Sequence, residues 1–172
     1  MRRRFRGEST QKVDGKGRVS IPANFRRVIE TGDPDWVDGK PANLVIVYGD
    51  ERRDFLECYT IEAIDEVDER IGRMKRGSPK RVYLEKMFNG QSVDASVDGT
   101  GRLVLAKKLR DKIRLGNDSE AYFIASGDTF QIWHPDTYAS SQLVDEGEVF
   151  DGLPDNADPL MLLDDDDDDE AA

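Results

Sequence analysis

The sequence predicts an α+β fold, mainly β, built from two copies of a strand, turn, strand and short helix, and three observations carry that prediction. The first is an internal repeat. Val13-Asp14-Gly15-Lys16-Gly17-Arg18-Val19-Ser20-Ile21-Pro22-Ala23-Asn24-Phe25-Arg26 recurs without a gap 84 residues later as Val97-Asp98-Gly99-Thr100-Gly101-Arg102-Leu103-Val104-Leu105-Ala106-Lys107-Lys108-Leu109-Arg110, with six of fourteen positions identical. The second is the form of the repeat: Asp-Gly-x-Gly, a tight turn whose glycines supply positive φ, runs into a segment that alternates apolar and polar, as a half-buried strand does. The third is that each half closes with two strand-like runs split by a turn, at residues 44–48 and 55–59 and again at 121–125 and 129–133.

The elements follow in order. Residues 5–14 read as a basic arm running into a strand, and Phe5-Arg6-Gly7 has an echo in Phe88-Asn89-Gly90. After the first motif, Ser20-Ile21-Pro22 opens a helix, with Pro suited to its first position and Phe25, Val28 and Ile29 on one face. Thr31-Gly32-Asp33-Pro34 stops it, and residues 33–43 form a Gly/Pro/Asp-rich loop before the first hairpin. Ile61, Ile64, Val67, Ile71 and Met74 recur at helical spacing, so residues 60–75 form an amphipathic helix. Gly77-Ser78-Pro79 interrupts it, with Ser78 as N-cap, and a second helix runs through Val82, Tyr83, Leu84 and Met87 to about residue 88. A further short helix runs from Pro135 to about Leu143. The expected organisation is a first unit at 1–60, a helical bridge at 61–87, a second unit at 88–144 and an acidic tail at 145–172 that has too little apolar content to fold alone and is expected to be disordered.

Charge is distributed unevenly enough to imply a class of partner. The net charge of -11 belongs to the tail, where residues 145–172 hold thirteen acidic side chains and no basic one, leaving +2 for residues 1–144. Residues 1–27 carry +7, from nine basic side chains against Glu8 and Asp14. A polyanion-binding face with an acidic appendage has this asymmetry. No apolar run approaches the length of a bilayer span, the basic N-terminal residues are not followed by an apolar segment and so read as no secretory leader, and the single Cys58 suits a reducing compartment, so a cytoplasmic location is expected.

Catalysis has little to stand on. Cys58 and His134 are the sole cysteine and histidine, most simply a buried small residue and a surface imidazole, and Met87, Phe88 and Trp133 read as core. No Walker loop, dinucleotide fingerprint or metal-ligand spacing occurs, and the six-aspartate run lacks the Gly and Glu of a calcium loop. No catalytic residue, metal, cofactor or small-molecule substrate is expected. Arg18, on a glycine-flanked turn, offers a bidentate fork to guanine or phosphate, and Lys16, Arg4, Arg6, Arg26 and Arg27 surround it in sequence. The rival reading makes Asp14 and Arg18 a structural ion pair that braces the turn.

Phe-Arg-Gly-Glu at the start, Asp14-Gly15-Lys16-Gly17-Arg18-Val19-Ser20-Ile21-Pro22, Leu56-Glu57-Cys58-Tyr59, the helical bridge, Asp98-Gly99-Thr100-Gly101-Arg102 and Phe130-Gln131-Ile132-Trp133, in that order, resemble the MraZ family of bacterial transcriptional regulators. The resemblance covers roughly residues 5–140. It implies two AbrB-like swapped-hairpin units in one chain that form a pseudo-twofold barrel. It also implies sequence-specific binding to promoter-proximal direct repeats of double-stranded DNA, typically before the division and cell wall gene cluster, by ring-shaped homo-oligomers at the nucleoid. The Asp-x-x-x-Arg motif, Asp14 and Arg18 with the second copy Asp98 and Arg102, then lies at the functional surface; the clustering of basic residues adds Lys16, Arg6, Arg4, Arg26 and Arg27 to Arg18 as expected DNA contacts. Asp14, Gly15, Gly17, Asp98, Gly99, Gly101 and Arg102 support the motif, since charge context favours Arg18 as the reader. Three features depart from the family pattern: the extra N-terminal arginines, the long 33–43 loop and the tail; Ala106 in place of a proline makes the second helix start less defined. An oligomeric scaffold that binds protein rather than DNA is the competing reading, and the salt dependence of duplex binding separates the two.

Overall fold

A computed structural model describes residues 3–141 and 143–163; Arg2 and the aspartate run from Asp164 lie outside them. Residues up to 139 form one compact unit and those from Ser140 a second. In the first unit, β1 (Glu8–Lys12), β2 (Arg18–Ser20) and α1 (Ala23–Thr31) are followed by the hairpin β3 (Ala42–Val47) and β4 (Phe55–Thr60). The bridge is α2 (Ile61–Gly72), α3 (Pro79–Glu85) and a π-helical turn (Lys86–Gly90). The second copy then supplies β5 (Ser92–Val97), β6 (Arg102–Val104), α4 (Lys107–Lys112), β7 (Glu120–Ser126) and β8 (Thr129–Trp133), and α5 (Pro135–Ser140) runs to the boundary of the unit.

Six strands form an antiparallel sheet in the order β1-β7-β8-β4-β3-β5, and β2 pairs with β6 in a separate two-stranded ribbon. The sheet order reads the same from either end once each strand is exchanged for its counterpart in the other copy. The initial strand of each copy pairs with the other copy: Glu8 lies opposite Ile124 and Ser92 opposite Val47. The sheet is open, with β1 and β5 at its edges, so the expected barrel is not closed. The physical reason lies beyond the two glycine turns, with φ of +82° at Gly17 and +79° at Gly101: they fold β2 and β6 back, Val13 making a single bridge to Val19, and the two short strands then pair with each other instead of extending the sheet.

Layering explains the apolar runs. Leu44 and Ile46 of β3 face a core shared with Phe5, Phe25, Leu56, Phe123 and Phe130, while Val45 and Val47 face a second cluster with Tyr59, Ala63, Ile64 and Met87. A strand covered on both faces needs no polar alternation. Helix α1 buries Phe25, Val28 and Ile29, the face that the spacing predicts, and starts just after Pro22. Ala106 takes φ -56°, close to the -52° of Pro22, so α4 begins in the same geometry without a proline. Thr60 caps α2 by accepting from the backbone N–H of Ala63 at 3.1 Å; Ser78 occupies the N-cap position of α3 but makes no side-chain capping bond.

The 33–43 loop is held rather than loose. Asp33 is buried and accepts from the backbone N–H of Asp35 at 3.0 Å and of Asn43 at 2.8 Å, closing the loop at its base. In the second unit, residues 145–163, expected disordered from composition, carry two short helical turns, Glu146–Val149 and Pro159–Met161. Their aspartates explain the local order, since the side chains of Asp145 and Asp158 accept from the backbone N–H groups of Glu148 and Leu160.

Candidate nucleic-acid interface

Both Asp-Gly-x-Gly turns close in the same way. The backbone N–H of Asp14 donates to Arg18 O at 3.1 Å and that of Gly17 to Asp14 O at 3.0 Å; Asp98, Arg102 and Gly101 repeat this at 2.9 Å each. The aspartate side chain then ties the turn from inside. Asp14 Oδ1 accepts from the backbone N–H groups of Arg18 at 2.9 Å and Lys16 at 3.0 Å, and Asp98 Oδ1 from those of Arg102 at 3.0 Å and Thr100 at 2.9 Å. These donors hold both carboxyls below the ordinary aspartate range, led in each case by the arginine's backbone N–H. The motif is therefore an Asx turn that fixes the backbone on which an arginine stands.

The arginine side chains are tethered differently. Arg18 Nε donates to Asp14 Oδ2 at 2.6 Å, a direct ion pair. Arg102 Nε donates to Thr100 Oγ1 at 2.9 Å and stands 3.7 Å from Asp98 Oδ2. Their side chains are 39% and 37% exposed, so accessibility does not separate the two.

Pairing in the ribbon puts them on one face. Arg18 lies opposite Val104 and Ser20 opposite Arg102, while Val19 and Leu103 between them are buried in the core. Alternation along a strand then places Arg18, Ser20, Arg102 and Val104 together on the outer face, with the arginines on a diagonal about 7 Å apart along the strands. Val104, 56% exposed, is an apolar side chain presented beside two arginines.

The other predicted residues are dispersed. Lys16 is exposed at the first turn beside Arg18. Arg4 and Arg6 are exposed, but Phe5 between them is buried against Phe25 and Phe130, and its backbone N–H donates to Gly127 O at 2.8 Å. The arm is thus fastened at the β7–β8 turn, about 25 Å along the strand direction from Asp14. Asn24 Nδ2 donates to Arg6 O at 2.6 Å, which ties the arm to the start of α1, where Arg27 is exposed. Arg26 is half-buried and lies over Gly101 of the other copy, a position that the sequence reading did not foresee. Ser20, Thr100, Val104 and Arg110 also stand at the ribbon or its turns, and the sequence reading did not single them out as candidate contacts. The alternation of Arg18-Val19-Ser20 and Arg102-Leu103-Val104 was visible, but their pairing with each other was not.

Cys58 is buried on β4 opposite Phe130, four residues along β8 from His134, so the two do not form a dyad; burial pushes its thiol pKa up. Among the described residues no cluster of three or more His, Cys, Asp or Glu side chains could hold a metal ion. No helix among them is long and apolar enough to cross a membrane.

No family model matches the chain. Curated relatives do. The chain is 61% identical over 164 residues to the "Transcriptional regulator MraZ" of Ruegeria sp. (strain TM1040), covering 95% of this chain and 97% of the relative. It is 62% identical over 164 residues to the protein of that name from Ruegeria pomeroyi, with the same coverage. A more distant one, from Rickettsia felis, is 33% identical over 135 residues, 78% of this chain and 83% of its own length.

Proposed function

Because this chain belongs to the MraZ family of transcriptional regulators, we propose that it binds double-stranded DNA in a sequence-specific way through the outer face of the β2–β6 ribbon. The observation that carries the proposal is the ribbon itself, a two-stranded antiparallel element with Arg18 and Arg102 outward and a buried apolar underside. The major groove admits an element of this width, and arginine forks suit guanine edges and phosphates alike. Arg18, backed by Lys16 and held by Asp14, is the principal reader. Arg4, Arg6 and Arg27 neutralise phosphates on either side, while the exposed Gly15 and Gly99 let the backbone approach and the buried Gly17 and Gly101 shape the turns. The exchanged pairing of β1 with β7 and β5 with β3 supports the AbrB-like, pseudo-twofold reading, two swapped-hairpin units joined by the bridge.

Family membership extends the proposal to promoter-proximal direct repeats before the division and cell wall gene cluster, bound at the nucleoid by a ring of identical chains. Two exposed apolar residues on α3, Val82 and Tyr83, support a further protein contact there. A footprint of the protein on its own upstream region tests the proposal. Protection of short repeated sites, lost on Arg18→Ala and weakened steeply by salt, is the expected result. Binding that ignores both sequence and salt would favour a scaffold.

A further inference from the structure

Arg26 and Arg110 occupy the same position in the two copies, 84 residues apart, and each reaches into the turn of the copy to which it does not belong. A Cβ on Gly101 would lie 2.8 Å from Arg26 Cζ and 3.0 Å from its Nε, so the guanidinium fills the space that a side chain there would take. On the other side, a Cβ on Gly17 would lie 3.3 Å from Arg110 Nε. The same two glycines are bonded to the opposite copy by their carbonyls. Gly17 O accepts from the backbone N–H of Leu105 at 2.7 Å, and Gly101 O from that of Ile21 at 2.9 Å. Each glycine therefore has a backbone bond from one copy's strand end and the arginine of that copy's following helix packed beside it.

The burial of these arginines is informative. Nε of Arg26 and Nε of Arg110 are both buried and have no hydrogen-bond partner among the described residues. An N–H buried without a partner is unfavourable, so hydrogen bonding at Nε does not account for where the group lies. Packing against the glycine turn does. Arg27, the next residue on α1, is exposed, which separates a solvent-facing cation from one lodged in the fold.

We propose that Arg110 is a positioning residue for the turn that carries Arg18, and Arg26 for the turn that carries Arg102, so each copy's helix sets the DNA-facing arginine of the other. The inference rests on the ribbon being the DNA-binding face. The mechanism is short: Arg18 follows Gly17 and Arg102 follows Gly101, so a shift of either glycine peptide re-aims the arginine next to it.

The test uses the full-length protein and a duplex carrying its footprinted site. Arg110→Met and Arg26→Met keep an apolar stem and remove the guanidinium; Arg110→Lys and Arg26→Lys stand in where a methionine variant does not fold. Arg110→Met should weaken binding about five- to tenfold while leaving the slope of log K against log salt unchanged, because no phosphate contact is lost. It should add little to Arg18→Ala and add fully to Arg102→Ala, and Arg26→Met should show the reverse. A slope reduced by about one, with additivity towards both ribbon arginines, would make Arg26 and Arg110 direct DNA contacts and overturn the proposal. In the free protein, amide resonances of Gly17 and Arg18 should move in the Arg110 variant while those of Gly101 and Arg102 stay; movement in the variant's own copy, or none, also overturns it. If Arg18→Ala and Arg102→Ala leave binding intact, the ribbon reading fails, and the amide shifts still decide the crossing.

Discussion

The turn at residues 14–18 and the turn at residues 98–102 share a backbone and differ in what restrains it. In the first, the arginine is clasped by the motif's own carboxylate at 2.6 Å, and a lysine stands at the tip. In the second, a threonine hydroxyl takes the arginine and the carboxylate stands off at 3.7 Å. The difference extends to the glycines. The space beside Gly17 is occupied by the backbone carbonyl of Leu105, and the space beside Gly101 by the tip of the Arg26 side chain. Duplication thus supplied one turn geometry twice, and single substitutions such as Lys16 to Thr100 redistributed its restraints. The first turn packs against the stiffer neighbour, a backbone carbonyl rather than a side chain, and is the more positive.

The largest expected effect tests that stiffness. Gly17→Ala forces an L-residue to φ +82° and drives its Cβ into a backbone carbonyl that cannot rotate aside, whereas Gly101→Ala meets a side chain that can. Positive φ alone costs about 1–3 kcal/mol. Gly101→Ala should stay within that range and Gly17→Ala should exceed it, measured as unfolding free energies in denaturant; equal losses would mean that the carbonyl yields as easily as the arginine.

Next comes affinity. Arg18→Ala should weaken duplex binding by about 1–3 kcal/mol with the fold intact, and Arg102→Ala by less, at one salt concentration. The argument is preorganisation: an arginine already clasped loses less freedom on binding, and Lys16 adds to its field. Equal losses would show that the tether does not matter and that both diagonal arginines read alike.

A smaller effect is set by pH. Both turn aspartates have folded-state pKa values depressed below 3.8, so their contribution is present above that value and is lost as pH falls through the lower folded values. Amide resonances of Arg18 and Arg102 should hold steady from neutral pH to about 4 and move only below it. A midpoint at or above the ordinary aspartate value for either turn would remove the carboxylate from its role.

Much of this was legible in the chain. The offset repeat located both turns, the apolar spacing of Phe25, Val28 and Ile29 located α1, and the period of Ile61, Ile64 and Ile71 located the bridge, because local geometry imposes those patterns. Which strand pairs with which was not legible, because β2 finds β6 through the arrangement of the whole sheet. Arg26 shows the limit well. As a basic residue in a basic stretch it read as a DNA contact, and only the fold reveals Gly101 beneath it. Phe5, in the same way, turns a free-looking arm into a fastened one.

The smallest effect concerns the background shared by both turns. Deleting residues 145–172 removes thirteen acidic groups and brings the chain from -11 to +2, so non-specific duplex affinity should rise a few-fold at low ionic strength and converge with the full-length protein at high salt. Because the change in charge acts on both turns, the ratio of the Arg18→Ala and Arg102→Ala losses should stay the same. A changed ratio would mean that the tail distinguishes the two turns.

The pairing of Glu8 with Ile124 also governs how the chain is born. A nascent chain leaving the ribosome presents β1 first and its ladder partner more than a hundred residues later. At about 5–20 residues per second the first strand waits roughly 6–20 s, its edge open to any other β-strand nearby. The β3–β4 hairpin and its pairing with β5 can form earlier, but β1 stays unpaired until β7 has been made, so the outer edge of the sheet is the last part to close.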